Sequence, residues 1–167
     1  MNEGDLDDFF EYASVEGVGV MAGWKHHASI GVSRKILNSF ILEKDVFAIT
    51  YKGNNKVIGS LGLHNSWAND DSNYSHLKVK EIGYVLSKAY WGNGLMPEAV
   101  SAVIRYCFDK YKLDALTICH FLSNKQSGRV IEKCGFKYVS QGKFYSEQTQ
   151  VYQTIYLLGG TSSRAVL

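Results

Sequence analysis

Proline is nearly absent: Pro97 is the only one in 167 residues. Pro-rich linkers and recognition tracts are excluded, and sixteen glycines without a G-X-Y period exclude a collagen-like chain. Cysteine is scarce too. Cys107, Cys119 and Cys134 fit no CxxC spacing, and an odd number argues against a disulfide framework, so no metal site is expected. No apolar run approaches the roughly 18 residues of a membrane span. Charge of one sign is also lacking. Eighteen basic residues against sixteen acidic ones leave +2, which gives no general pull toward nucleic acid or an anionic membrane. The opening MNEGDLDDFFEYAS is acidic where a signal peptide would be basic and then apolar. The expectation is a cytoplasmic protein whose partners include neither nucleic acid nor membrane.

What the chain does have is 46% apolar and 13% aromatic residues, with no repeat, low-complexity tract or linker. A single domain over 1–167 is the simplest organisation, long enough to bury roughly two-thirds of its unfolded surface. Residues 5–14 read as a helix with Leu6, Phe9 and Phe10 on one side and Asp5 as its cap. Residues 29–43 read as a second, capped by Ser29, with Ile36, Leu37, Phe40 and Ile41 as its apolar face. VFAITYK (46–52), Gly53-Asn54-Asn55 and VIGSLGLH (57–64) read as a β-hairpin, followed by a polar loop at 65–76. EIGYVLS (81–87) is a strand. A helix over about 95–111 carries the stripe Val100, Val103, Ile104, Cys107 and Tyr111. ALTICHF (115–121) is a strand, NKQSGRVIEKCG (124–135) a short helix stopped by Gly135, and 136–145 with 149–158 a closing strand pair. Strand 81–87, helix 95–111 and strand 115–121 make a crossover, which implies a parallel pair. The fold class is therefore α+β, with a mixed sheet.

The Trp91-Gly92-Asn93-Gly94 loop stands between a strand and a helix. A helix start offers unpaired N–H groups and partial positive charge, and glycines let a bulky anion come close. A plain glycine turn is the alternative, and the segment alone leaves both open. It is not a Walker A loop, since no Gly-Lys-Ser/Thr follows, and Pro97 breaks a G-x-G-x-x-G pattern.

The run EIGYVLSKAYWGNGLMPEA (81–99), with NKQSGRVIEKCGF (124–136) after it, resembles the GCN5-related N-acetyltransferase (GNAT) superfamily. It looks most like the RimJ/RimL branch of ribosomal-protein N-terminal acetyltransferases. The resemblance runs from about 5 to 158 and implies a mixed, mostly antiparallel sheet of about six strands flanked by helices, with a splayed parallel pair. It implies acetyl-CoA as co-substrate, with Val85, Leu86 and Ser87 pairing with the pantetheine arm. The N–H groups of Trp91, Gly92, Asn93, Gly94, Leu95 and Met96 would hold the pyrophosphate. Trp91 and Met96 depart from the family's Q/R-x-x-G-x-G/A, as variants of this branch do. The family normally opens with a strand. Here that strand is missing or reduced, which would bare a sheet edge and suggests a possible homodimer.

The resemblance also implies catalytic roles. Asn124 would contact the pantetheine or the attacking amine, and Ser127 would donate to the leaving sulfur. Their plain alternatives are a helix N-cap and an exposed first-turn serine. Glu81 stands where several superfamily members carry a carboxylate, and is the candidate base; its alternative is a solvated strand end. Trp24, with His26 and His27, would line the acceptor site or belong to a polar loop between helices. His64 would face substrate, and Cys134 would pack. The implied activity is transfer of an acetyl group from acetyl-CoA to a primary amine, by direct attack in a ternary complex. The acceptor is a protein N-terminus or a small molecule. A catalytically silent acyl-CoA-binding or regulatory module is the rival.

Overall fold

The computed structural model describes residues 1–145 and 150–159. Helix α1 (Leu6–Ala13) and helix α2 (Ile30–Glu43) precede strands β1 (Val46–Tyr51), β2 (Lys56–Asn65) and β3 (Val79–Leu86). Helix α3 (Leu95–Asp109), strand β4 (Ala115–Phe121), helix α4 (Lys125–Lys133) and strands β5 (Lys137–Tyr145) and β6 (Gln150–Gly159) follow. The strand order is β1-β2-β3-β4-β6-β5. β1 with β2, β4 with β6 and β5 with β6 are antiparallel, and β3 with β4 is the parallel pair that the crossover predicts. The parallel register covers Val79–Ile82 against Ala115–Ile118, half of β3. The chain divides into two compact units: Met1–Gly62 with Gly83–Leu95, and Leu63–Ile82 with the chain from Met96 onward. Both β2 and β3 pass from one unit into the other.

In the first unit, Leu6, Phe9, Tyr12 and Ala13 recur at three- and four-residue steps and bury one face of α1. They pack with Val18, Leu37 and Val57, and α2 adds Ile36, Phe40 and Ile41 at the margin of this core. Asp7 and Glu11 of α1 are exposed, while Asp8 is half-buried and accepts the Val57 N–H at 2.8 Å. Two expected caps need correction. Asp5 precedes α1, but its carboxylate accepts from Asn2, and Asn2 caps the turn Glu3–Asp5. Ser29 precedes α2 without a side-chain cap bond; its main-chain carbonyl receives the Val32 and Ser33 N–H groups. The hairpin turns where expected, with Asn55 at φ 58°, and its register slips between Ile49 and Thr50. Gly59 of β2 is required by crowding: a Cβ there would lie 2.4 Å from the Val85 carbonyl oxygen. β1 is the first strand of the described residues and an outer strand of the sheet.

In the second unit, Ala68, Val79, Ala115 and Leu157 form a buried cluster, flanked by Trp67, Tyr74, Leu77 and Val139. The segment at 65–76 is thus not wholly polar loop; Ser66 caps a short turn, Trp67–Asn69, that tucks Ala68 inside. α3 buries Met96, Val100 and Cys107. It ends two residues short of the expected 111, and Tyr111 is exposed against Tyr106 rather than on the apolar stripe. α4 stops at Gly135, whose φ of 84° suits glycine best.

Candidate active site

The loop between β3 and α3 is held from inside the first unit. The Trp91 indole N–H donates to the Leu86 carbonyl at 2.8 Å, and its ring rests on the α1/α2 core. Trp91 thus braces the loop with its side chain, a use the family pattern Gln/Arg does not suggest. Asn93 donates back to the Tyr90 and Trp91 carbonyls. Gly92 and Gly94 have φ of 80° and 75°, and nothing lies within 4 Å of where their Cβ atoms would be. A left-handed backbone explains both glycines, and the empty space beside them leaves the loop open to an anion. Of the three residues expected to pair with a pantetheine arm, Ser87 is corrected. Its N–H already donates to the Ile58 carbonyl at 2.7 Å. Val85 is half-buried and Leu86 buried, while Leu95 and Met96 open α3.

Glu81 sits in the second unit, inside β3, with Ile82 buried on the opposite face. The parallel register sets Glu81 opposite Thr117, and alternation brings Cys119 to the same face of β4. Glu81 Oε2 accepts from Thr117 Oγ1 at 3.3 Å and from Cys119 Sγ at 3.6 Å. Burial raises the carboxyl above the ordinary glutamate range, while the Cys119 and Thr117 donors and the charge of His64 pull it partly back. This is not a solvated strand end. His64, at the exposed end of β2, is within electrostatic reach of Glu81. Burial and the neighbouring Glu81 push the Cys119 thiol far up, so it stays protonated. Thr117 is fully buried, and its hydroxyl meets Ser66 Oγ at 2.7 Å. Sequence reading missed Ser66, Thr117 and Cys119. The available signal was a threonine inside the apolar run ALTICHF.

Asn124 precedes α4, and its Oδ1 accepts the Ser127 N–H at 3.1 Å. The N-cap role is therefore present, whatever else the residue does. Ser127 is 8% exposed, which corrects the picture of an exposed serine. The first turn of α4 runs close to β4: a Cβ on Gly128 would come within 3.2 Å of the His120 ring. Cys134 lies 3.8 Å from Ser101 Oγ and from the Pro97 carbonyl oxygen, in the packing position expected of it.

Trp24 and His27 belong to the interior of the first unit. The Trp24 ring lies so close to Gly19 that a Cβ there would sit 2.2 Å from it, and its centroid is 5.1 Å from that of His27. His27 is buried, edge-on to Phe9, with Nδ1 2.6 Å from Ser33 Oγ. Burial lowers its pKa, so it stays neutral at pH 7. This corrects the polar-loop alternative: of the pair, only His26 faces solvent.

The family model described as the acetyltransferase (GNAT) domain matches residues 1–137, and the chain belongs to this family. Among its relatives is YjcK, a probable N-acetyltransferase of Bacillus subtilis, 36% identical over 98 residues, 57% of this chain and 51% of that protein. The chain spans about half the length of the curated relatives it matches. The fold is shared with a GNAT-family acetyltransferase from Bacillus anthracis, with a TM-score of 0.80 and 21% identity over 95% of this chain and 91% of that one. The ribosomal-protein-S5-alanine acetyltransferase of Vibrio fischeri gives 0.75 and 18% over 97% and 91%. Spermidine N-acetyltransferase of Vibrio cholerae, in complex with CoA and spermine, gives 0.76 and 14% over 95% and 92%.

Proposed function

We propose that this protein is an acetyl-CoA-dependent N-acetyltransferase of the RimJ/RimL-like branch, a single domain acting on a primary amine. The observation that carries the reading is the 91–96 loop. Two left-handed glycines with open space beside them lead into a fifteen-residue helix, where backbone N–H groups suit a pyrophosphate. Gly92, Asn93, Gly94, Leu95 and Met96 supply those groups, and Trp91 fixes the loop's conformation. Val85 and Leu86 remain for the pantetheine arm; the Ser87 N–H is already engaged.

Glu81 takes the proton. An α-ammonium has a pKa near 8 and a lysine ammonium near 10.4, so the amine arrives largely protonated at neutral pH. A carboxyl raised by burial is a better acceptor for that proton than an ordinary glutamate. The neutral nitrogen then attacks the thioester carbonyl carbon. The C–N bond forms and the C–S bond breaks; the departing sulfur takes a proton from the Ser127 hydroxyl or from water, and the proton that the attacking nitrogen sheds on becoming an amide replaces it. Asn124 holds the first turn of α4 so that Ser127 stays buried there. His64 lines the amine's approach through its proximity to Glu81. The work of these residues needs no metal. The reading places the protein in the cytoplasm, with the β1 edge covered by a second copy.

The test is thiol release from acetyl-CoA with a panel of peptides and small amines, with products identified by mass spectrometry. Acetylated amine in step with free thiol supports the reading. Tight acetyl-CoA binding without product from any amine would make the protein a binding module instead.

A further inference from the structure

The carboxylate of Glu81 lies at the end of a chain of hydrogen bonds whose direction can be worked out from its far end. The Ala68 N–H can only donate, and it donates to Ser66 Oγ at 3.1 Å. Ser66 Oγ and Thr117 Oγ1 are 2.7 Å apart, and Thr117 Oγ1 is 3.3 Å from Glu81 Oε2. If Thr117 gives its single hydrogen to Glu81, its oxygen is free to accept from Ser66, and each hydroxyl donates once and accepts once. In the reverse order, Ser66 would accept from both Ala68 and Thr117, and its own hydrogen would have no acceptor in the chain. Ala68 and Thr117 are completely buried and Ser66 nearly so, with 0%, 0% and 3% exposure. Water therefore does not stand in for a missing partner, and a buried unsatisfied hydroxyl is costly. The favoured direction delivers a hydrogen to Oε2, which suits an ionised carboxylate.

We propose that Ser66 and Thr117 are positioning residues for Glu81: a one-way chain from the Ala68 N–H holds Oε2 and keeps the carboxylate ready to accept a proton. Oε1 is left to meet the substrate amine. The inference rests on the reading of Glu81 as the proton acceptor. Among the described residues of neighbouring elements, the titratable groups that act on Glu81 are His64 from β2 and Cys119 from β4. Lys80, next to it in β3, directs its ammonium to the Asn65 side-chain oxygen at 3.3 Å. Cys119 adds a weak S–H donor to the same oxygen. Only the Thr117 donor is itself oriented by further fixed groups.

The experiment titrates the Glu81 carboxyl by 13C NMR in the full chain, its resonance assigned as the one lost in Glu81→Gln. Wild type, Thr117→Val, Thr117→Ser and Ser66→Ala are compared, and kcat/KM is measured against pH with saturating acetyl-CoA and an accepted amine. Losing a hydrogen bond to the charged form raises a carboxyl pKa, so Thr117→Val moves the Glu81 midpoint up by about one pH unit. The acidic limb of kcat/KM moves with it, and Thr117→Ser restores both. Ser66→Ala, which frees Thr117 to turn elsewhere, moves them less in the same direction. An unchanged Glu81 midpoint in Thr117→Val, or no restoration by Thr117→Ser, overturns the proposal. Should Thr117→Val fail to fold, as judged by circular dichroism, Ser66→Ala is held to the same criterion. Glu81→Gln separates the two readings. If it keeps the acidic limb, Glu81 is not the proton acceptor, while the NMR midpoints still decide the chain on their own.

Discussion

The glycine loop at 91–94 and the carboxylate cluster around Glu81 are built on opposite plans. The loop is four consecutive residues, exposed from Gly92 to Gly94, and what it offers is main-chain N–H groups. Its conformation depends on glycines at φ of 80° and 75° and on two side chains, Trp91 and Asn93, bonded to carbonyls just before them. The cluster has no contiguous sequence. His64, Ser66, Glu81, Thr117 and Cys119 come from three separated segments; the β3/β4 register sets Glu81 beside Thr117, and the turn after β2 brings Ser66 to Thr117. The loop works by leaving polar groups open, and the cluster by enclosing them. Enclosure gives the cluster a shifted pKa and a cost in stability. Openness leaves the loop free for the anion proposed there and gives it almost no tuning.

The largest effect should come from breaking the cluster. Glu81→Gln removes the proposed proton acceptor, and general acid–base groups typically contribute 10²–10⁴-fold. The loss in kcat/KM is expected to be greatest below the pKa of the acceptor amine and to shrink as pH rises and free amine becomes available. Profiles of kcat/KM against pH for mutant and wild type check this; parallel profiles would count against the role. Stability should change in the opposite sense. Because the folded-state pKa of Glu81 is raised, the charged form is disfavoured in the native protein. The stabilising contribution of Glu81 is therefore full below the unfolded pKa near 4.3 and is lost as pH rises through the raised value. Glu81→Gln should melt higher than wild type at neutral pH, and the gap should close in acid. Calorimetry at pH 4 and pH 7.5 measures it, and an equal gap at both would contradict the burial argument.

The loop should break differently. Gly94→Val forces a β-branched side chain to a φ of 75°, a backbone region that costs an L-residue roughly 1–2 kcal/mol. There is no neighbouring protein atom to clash with, so the core is untouched. The expected result is a folded protein that binds acetyl-CoA about tenfold more weakly or worse, with little change in the pH profile of what activity remains. Titration calorimetry reads the affinity. Unchanged affinity would remove the loop from the phosphate site, and a shifted pH profile would blur the contrast with the cluster.

These two regions also explain what could be read from residues alone. Local patterns translated well. The Gly53-Asn54-Asn55 turn, the strand 115–121 and the stop at Gly135 all stand where their chemistry indicates, while the α1 face keeps Leu6 and Phe9 but takes Tyr12 and Ala13 in place of Phe10. So does the loop, because a strand, two glycines and a helix start are written in consecutive letters. Asp5 and Tyr111 depart from the expected roles because each depends on its surroundings: Asn2 draws the Asp5 carboxylate away, and α3 ends before Tyr111; Ser29 stands at the N-cap of α2 but without a side-chain bond. Glu81 could be picked out only by likeness to a family. Its partner Thr117, 36 positions away, follows from a parallel register that no local pattern encodes, and Ser66 reaches Thr117 from the turn after β2. His27 was hidden for a related reason, since two adjacent histidines look polar until Phe9, Trp24 and Ser33 close around one of them.

A smaller kinetic effect is expected at Ser127. A thiol's pKa near 8.5 makes the thiolate a fair leaving group unaided, so a donor there adds little. Ser127→Ala should lower kcat by about tenfold to a hundredfold at most, with acetyl-CoA affinity kept. Wild-type kcat at saturating substrate would return the residue to packing.

The smallest effect tests whether Asn124 belongs with the loop's plan or the cluster's. Its Oδ1 takes the Ser127 N–H at 3.1 Å, one of the unpaired donors at the start of α4. Replacing a capping asparagine by alanine typically costs about 1 kcal/mol, while aspartate can still accept the same N–H. Asn124→Ala should therefore lower stability by about that amount, and Asn124→Asp should recover it. If capping is the residue's whole contribution, kcat follows the cap: reduced modestly in Asn124→Ala, where the Ser127 turn loosens, and restored in Asn124→Asp. If the side-chain amide also meets the pantetheine or the amine, aspartate repairs the melting temperature but not the rate, since it lacks the N–H donors of asparagine. Denaturant titration and steady-state kinetics on the two variants separate the outcomes. A pair in which stability and kcat recover together assigns Asn124 to the helix, and a pair in which they part assigns it to the chemistry.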